Sequence, residues 1–384
     1  MRRTHGLLLA AIPAAVFAWA PSAPAQTVRG TLLEEGTGNP VPGAFVVLED
    51  STGEVVSTSL TGPPGTWLVR APVAGRYRVR ADRIGYGSVF SESFGIGATE
   101  TLSLVLTAPV APVVLSGIDV EAAGRCEILP EESLTIHGVW AEARKALAAI
   151  SWTGQQPYFR FDAVHFQREL AVDGTPTSEI EYEEVRYFGR HPFHSIPTRD
   201  LMLGGFVQEV SGSLRYYGPD ADVLLSTEFL RRHCFRLVRS DGEQRLGLAF
   251  EPQEEARLTD ISGTMWLNPE TAELTSLDFR YENLNLGVDT RHLGGRVDFV
   301  RLPSGVWFVR SWAIRVPVIE FEPRDRTVGG RARPARRRLV AIDEGGGYVT
   351  AVYMTSRLVG TPSTDTLPVR PPPDSLIARF PLPD

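Results

Sequence analysis

The sequence RYRVRAD, residues 76–82, decides the class of fold. Tyr77, Val79 and Ala81 alternate with three arginines, so apolar side chains recur at every second residue. A period of two places apolar side chains on one face of a β-strand and charged side chains on the other. The stretch TLSLVL, residues 101–106, repeats this alternation. Between residues 28 and 107, about seven such strands separated by turn residues predict a β-sandwich.

The composition of the whole chain also indicates a mainly β protein. The 384 residues include 36 glycines and 29 prolines, which favour short strands and turns over long helices. Apolar residues make up 43% and charged residues 22%, as in chains with buried cores, and the length suggests two or three domains. The formal net charge is −7, whereas a general nucleic-acid binder would be basic, so no nucleic-acid partner is expected.

Glycines, prolines and apolar residues follow one another in a particular order between residues 26 and 107. They are Val28, Gly30, Pro40, Val41, Pro42, Gly43, Ala44, Val46, Leu48, Gly53, Gly65, Pro72, Gly75, Tyr77, Val79, Gly85 and Tyr86. With this order the segment resembles the carboxypeptidase regulatory-like domain, a transthyretin-like β-sandwich. The family commonly has a Thr-Asp pair before the glycine of the mid-domain turn, where this chain has Thr61-Gly62-Pro63-Pro64-Gly65. The resemblance implies an N-terminal sandwich over residues 26–107.

A helix is predicted after residue 130, because apolar residues there recur at the spacing of one helical face. These residues are Ile136, Val139, Trp140, Ala143, Leu147 and Ile150. Glu131 and Glu132 precede them, and Arg144 and Lys145 come later, an order that suits the helix dipole. Lys145 is the only lysine of the chain.

From residue 157 to residue 355 the sequence again predicts strands, with hairpin turns at 268–270, 303–305 and 345–347. Segments 263–274 and 295–307 resemble strand–turn–strand units of the outer-membrane lipoprotein carrier proteins, antiparallel half-barrels that wrap a helix and shelter acyl chains. The helix and the strands that follow it predict a helix-plus-sheet domain over residues 131–358, and a curved sheet around one helix leaves a groove for an apolar ligand at its rim. We expect four helix residues to pack against three sheet residues: Val139, Trp140, Ala143 and Leu147 against Leu277, Phe279 and Tyr281.

The two ends of the chain and the connection between its domains have distinct compositions. Residues 1–25 combine Arg2 and Arg3, an apolar run and a small-residue site at Ala23-Pro24-Ala25, which predicts a cleaved signal peptide and a mature protein that begins at Gln26. The apolar run is short for a membrane-spanning helix, although an uncleaved anchor remains the alternative. Residues 108–130 are predicted to be a linker, and the proline-rich tail 359–384 to be extended or disordered.

Export would place the two cysteines in an oxidising compartment. Cys126 and Cys234 are the only pair, so a disulfide between them is predicted, and two buried free thiols are the alternative.

The motifs of common hydrolases are missing from the sequence. No histidine is followed three residues later by glutamate, and no serine lies in a G-x-S-x-G turn. His191 and His194 could share a metal, but Pro192 favours a structural turn. His233 beside Cys234 is poorly placed for proton transfer, and the acidic run at 181–184 is typical of an exposed strand. We therefore predict no catalytic, cofactor-binding or metal-binding residues and no cofactor.

One positive patch stands out in this acidic chain. It consists of Arg324, Arg326, Arg331, Arg333, Arg336, Arg337 and Arg338. Such a patch could contact an anionic membrane surface or lipopolysaccharide phosphates, or it could be a solvated hairpin tip.

Three classes of function are compatible with these observations. The first is a non-catalytic protein of the cell envelope, periplasmic or secreted and possibly associated with the outer membrane, that binds an apolar, glycan, lipid or protein partner through its β domains. The second is an accessory module of a TonB-dependent outer-membrane uptake system, whose receptors often begin with a regulatory-like domain. The third is a hydrolase whose site carries none of the familiar motifs.

Overall fold

The computed structural model describes residues 26–110, 134–240, 245–253, 258–284, 290, 292–302, 305–322, 336–354 and 363–366. The predicted signal peptide, most of the predicted linker and Cys126 lie outside the described residues. So do Arg324, Arg326, Arg331, Arg333 and the tail apart from 363–366. Among the described helices, none is long and apolar enough to cross a lipid bilayer.

Eight short strands form the N-terminal sandwich. They are β1 (Gln26–Glu34), β2 (Phe45–Asp50), β3 (Val55–Leu60), β4 (Thr66–Ala71), β5 (Gly75–Asp82), β6 (Val89–Phe90), β7 (Phe94–Ile96) and β8 (Thr101–Ala108). One sheet has the order β4-β1-β8 with β1 and β8 parallel, and the other has the order β3-β2-β5-β6 with β7 also on β5. Val28, Val46 and Val79 are fully buried in the core between them. The predicted sandwich is confirmed.

The rest of the described chain is one helix on a ten-stranded sheet, with short helices and a hairpin at one side. Its elements are α1 (Leu134–Gln155), β9 (Phe159–Leu170), β10 (Glu181–Phe188), α2 (Thr198–Gly204), β11 (Val207–Val210), β12 (Ser213–Tyr216), α3 (Ala221–Leu225), α4 (Thr227–Arg232), β13 (His233–Arg239), β14 (Leu246–Pro252), β15 (Asp260–Leu267), β16 (Leu274–Glu282), β17 (Gly294–Arg301), β18 (Trp307–Glu322), β19 (Arg336–Met354) and β20 (Ser363–Thr366). The strand order is β10-β9-β19-β18-β17-β16-β15-β14-β13, with β20 beside β19, and neighbouring strands are antiparallel.

Helix α1 packs on this sheet as the sequence predicts. Val139, Ala143 and Leu147 have no solvent-exposed surface, and Trp140 lies against Phe235 with ring centroids 5.8 Å apart. Leu277, Phe279 and Tyr281 belong to the same buried cluster, which confirms the predicted contact between helix and sheet. The driving force is removal of this apolar face from water.

Two local predictions about this domain were wrong. Helix α1 continues to Gln155, so Arg144 and Lys145 lie in its middle and not in the last turn, where a dipole interaction would act. The predicted turn at 345–347 is the interior of β19. A Cβ on Gly346 would lie 2.6 Å from the ring of Phe166, and one on Gly347 would lie 2.6 Å from the ring of Trp312. These glycines let two aromatic rings lie against the strand.

The two domains are in contact along α1. Glu142 accepts a hydrogen bond from the backbone N–H of Gly85 at 3.1 Å, and Lys145 donates to the carbonyl oxygen of Tyr86 at 2.8 Å. Two turns further on, Trp152 packs edge-on against Phe45, with ring centroids 6.4 Å apart. One helix therefore carries both the sandwich interface and, in its last turn, the cleft described next.

Candidate functional site

A cleft of about 420 Å³ opens beside the C-terminal end of α1. Its walls come from that helix, from the loop 189–198 and from the start of α3. The volume lies within the range of small-molecule sites, about 300–1,000 Å³. The sequence predicted a rim groove for an apolar ligand, but the lining contains charged and polar side chains as well as apolar ones.

Three polar side chains form a connected group at the edge of the cleft. Ser151 and Gln155 are four residues apart, which places them on one face of α1. Ser151 Oγ donates a hydrogen bond to Asp222 Oδ1 in α3, and Gln155 Nε2 donates to Asp222 Oδ2 at 2.8 Å and to Ser151 Oγ at 3.2 Å. The group is held in place before any ligand arrives, because each member fixes the others.

Asp220 and Ser195 lie deeper in the cleft. Asp220 is the N-cap of α3: its Oδ1 accepts from the backbone N–H of Val223 at 3.0 Å, and its Oδ2 accepts from the backbone N–H of Ser195 at 2.7 Å. Burial raises the pKa of Asp220 above its usual value. Ser195 lines the cleft and is only 9% exposed. Its hydroxyl is buried and has no hydrogen-bond partner.

His191 is a structural residue of this cleft. Its Nε2 lies 2.8 Å from the carbonyl oxygen of Val309, and its Nδ1 accepts the backbone N–H of Phe193 at 3.0 Å. The ring must therefore be neutral, with its proton on Nε2. Burial agrees with this assignment, because it lowers the pKa of His191 to about 4. Since both ring nitrogens are occupied by backbone groups, His191 cannot share a metal with His194, and no group of three metal-ligating side chains occurs in the described parts of the chain.

His194 and Arg190 complete the polar lining and are both exposed. His194 Nδ1 lies 3.3 Å from the carbonyl oxygen of His191, which links the ring to the same loop. Phe193 and Ile196, from the same loop, supply part of the apolar wall. The sequence indicated only the two histidines of this site. Ser151, Gln155, Ser195 and Asp222 were missed, and only the four-residue spacing of the first two was visible as a signal.

The structure places the other predicted residues apart from this cleft. Cys234 is buried on β13, and the predicted disulfide remains a prediction because Cys126 lies outside the described residues. Arg337 and Arg338 are exposed on β19, with Arg338 beside Glu320 at 3.1 Å. The acidic run lies on β10, at the end of the described strand order, where all three of its glutamates are exposed.

A second cleft of about 500 Å³ lies among α2, α4 and the start of β15, with Arg231, Arg232 and Asp260 in its lining. The buried ring of His233 is next to it. Its Nδ1 lies 2.9 Å from the carbonyl oxygen of Phe229 and its Nε2 lies 3.1 Å from that of Ile261. Asp260 Oδ1 lies 3.3 Å from the same Nε2, so two backbone carbonyl oxygens and one carboxylate surround the ring.

Comparison with solved structures found likenesses of low similarity. A 5-hydroxyisourate hydrolase from Klebsiella pneumoniae is 20% identical over 22% of this chain and 86% of its own, with a TM-score of 0.19. A DUF1329 family protein from Desulfovibrio piger is 8% identical over 54% of this chain and 90% of its own, with a TM-score of 0.25. BcpA, the major pilin subunit of Bacillus cereus, is 9% identical over 74% and 92%, with a TM-score of 0.19. TM-scores this low do not establish a shared fold for the whole chain.

Comparison with sequences gave a clearer result for the first domain. No curated protein matches the chain. The family model described as the carboxypeptidase regulatory-like domain matches residues 27–108, the segment that folds into the eight-stranded sandwich. This family is a non-catalytic module. Residues 27–108 of this mainly β chain are a carboxypeptidase regulatory-like domain with a transthyretin-like fold.

Proposed function

We propose that this chain is an exported, non-catalytic protein of the cell envelope that binds its partner in the cleft beside α1. The observation that carries the proposal is the state of the polar groups there. They converge on one space, as in a binding site, and neither the buried serine nor the buried histidine is paired with the other as nucleophile and base. Ser195 Oγ has no hydrogen-bond partner, and both nitrogens of His191 are occupied by the backbone.

The sequence of the first 25 residues supports export, and the proposed location is the periplasm or outside the cell. The cell envelope offers glycans, lipids and proteins as partners. For the arginine-rich patch we keep the proposal of an anionic membrane surface, because Arg337 and Arg338 are exposed on one strand.

Expression of the full-length chain in a bacterium with two membranes tests the location. We expect the protein in the envelope fraction with Gln26 as its first residue, after removal of residues 1–25. An intact Met1 on a cytoplasmic protein would overturn the proposal.

Binding is tested with the purified mature protein against three materials: lipopolysaccharide, soluble peptidoglycan fragments and vesicles of anionic phospholipid. We expect at least one to be retained and to be recovered chemically unchanged by mass spectrometry. Steady conversion of any of them into a product would show catalysis and exclude a purely binding role. Replacement of both Arg337 and Arg338 by Gln, with Glu209→Gln as an exposed control, asks whether the patch contributes to vesicle binding.

A further inference from the structure

We infer that the cleft beside α1 binds a neutral, hydroxyl-rich ligand of the saccharide class, one or two sugar rings at a time. This inference rests on the proposed function, since it names the ligand of the same site. It follows from three observations: a buried hydroxyl without a partner, a group of polar side chains that hydrogen-bond one another, and an apolar wall beside them.

The buried hydroxyl sets the first requirement. Ser195 Oγ can donate one hydrogen bond and accept others, but it makes no hydrogen bond. The residue is only 9% exposed, so bulk water does not supply the missing partner. A buried polar group without a partner is unfavourable and is a reason to expect a ligand atom at that position. A sugar hydroxyl both donates and accepts, so it suits whichever direction the hydroxyl of Ser195 takes.

The two carboxylates of the cleft already have hydrogen-bond donors within the protein. Both oxygens of Asp222 already accept hydrogen bonds, from Ser151 and Gln155, and both oxygens of Asp220 accept backbone N–H groups. Arg190 adds a positive charge to the lining. Both carboxylates are thus already hydrogen-bonded by groups of the protein itself. Both retain oxygen lone pairs that a hydroxyl can reach.

The mixed lining of the cleft, apolar in one part and polar in the rest, favours a compact ring with hydroxyl groups over a long acyl chain. Phe193, Ile196 and Pro197 line one part of the space, and the polar residues line the rest. A pyranose presents C–H groups on its faces and hydroxyls around its edge, which matches a cleft with one apolar part and one polar part. The volume of about 420 Å³ accommodates one or two sugar rings.

The experiment titrates the mature protein, from Gln26 onward, with glucose, galactose, N-acetylglucosamine and their β1,4-linked disaccharides, and follows binding by calorimetry and NMR into the millimolar range. Spermidine and laurate serve as cationic and apolar alternatives. Ser195→Ala should lower the affinity for the saccharide that binds by about five- to tenfold. Asp222→Ala should lower the affinity for this saccharide by a similar factor, because it removes the carboxylate to which Ser151 and Gln155 are hydrogen-bonded. Ser213→Ala changes an exposed serine that does not line the cleft and should leave affinity unchanged.

A loss of affinity in Ser195→Ala can be distinguished from a loss of folding. Ser195→Ala removes a buried hydroxyl that has no partner, so its Tm should equal or exceed that of the wild type. The inference is overturned if no saccharide of the panel binds, if spermidine or laurate binds in the cleft instead, or if neither cleft variant lowers affinity. Retention of lipopolysaccharide, peptidoglycan fragments or vesicles that no saccharide competes with would leave the proposed function in place and remove only the saccharide site.

Discussion

The ammonium group of Lys145, in the middle of α1, donates a hydrogen bond to the backbone carbonyl oxygen of Tyr86 in the sandwich at 2.8 Å. The same ammonium group lies 2.7 Å from Glu142, which accepts the backbone N–H of Gly85. Side chains of both residues are almost completely buried. The only lysine of the chain thus reports directly on the contact between the two domains.

Glu142→Ala should loosen this contact. It leaves the Lys145 ammonium buried without its carboxylate, and such a change typically costs about 3–5 kcal/mol. Amine-reactive labelling of Lys145, read by peptide mass spectrometry, should be slow in the wild type and fast in the variant. Glu209→Ala removes an exposed carboxylate and serves as the control. Equal labelling rates in wild type and Glu142→Ala would show that this contact does not hold the domains together.

Gly43 and Gly305 meet backbone to backbone at another point of the same interface. A Cβ on Gly43 would lie 2.5 Å from the Cα of Gly305, and the φ of Gly43 is +70°. Gly53 has φ +88° and open space around its Cα, so Gly53→Ala carries only the left-handed backbone cost of about 1–2 kcal/mol. Gly43→Ala should destabilise the protein by clearly more than that in denaturant unfolding. Equal losses for the two variants would mean that the interface yields without cost.

Trp140→Ala should lower the free energy of unfolding by about 3–5 kcal/mol, because it empties a large volume between α1 and the sheet. Leu203, on α2, is 69% exposed, so Leu203→Ala should change stability by less than about 0.5 kcal/mol. The measurement is urea unfolding of the full mature chain, since α1 also contacts the sandwich. A loss at Trp140 no larger than that at Leu203 would contradict the helix packing.

His191 makes stability depend on pH. Its folded-state pKa of about 4 lies below the ordinary histidine value of 6.5, so between these values the unfolded chain binds more protons than the folded one. The stabilisation is complete above pH 6.5 and is lost as the pH falls towards 4, by at most about 3 kcal/mol. His191→Gln keeps a donor but cannot titrate, so its stability should fall less over this range. His137→Gln changes an exposed histidine of α1 in the same way and serves as the matched control.

The predicted disulfide is tested by mass spectrometry of the exported protein under non-reducing conditions. A Cys126–Cys234 bond would close a loop of roughly 108 residues and stabilise the fold by about 4–5 kcal/mol in the entropic model. Cys126→Ser and Cys234→Ser should then lose similar amounts, whereas reduction should not affect either variant further. Reaction of both thiols with a maleimide in the native exported protein would show that the bond is absent.

The sequence alone determined those features that repeat along the chain or follow a known order. Alternation at Tyr77, Val79 and Ala81 predicted a strand, the order of glycines and prolines predicted the sandwich, and helical spacing from Ile136 to Ile150 predicted which face of α1 is buried. The two periodic patterns are local, because the periodicity of a strand or helix depends only on which of its sides faces the core.

Only the tertiary structure decided the features that join distant parts of the chain. Gly345, Gly346 and Gly347 resembled a turn, but they lie inside β19. Gly346 and Gly347 leave room there for the rings of Phe166 and Trp312. The cleft joins Ser151 and Gln155 of α1 to Asp222 of α3 across about 70 residues of sequence, and only chain packing sets that distance. The contacts of Glu142 and Lys145 with the sandwich likewise correspond to no periodic pattern in the sequence. A single residue that reaches another domain has no neighbours in sequence that must share its role.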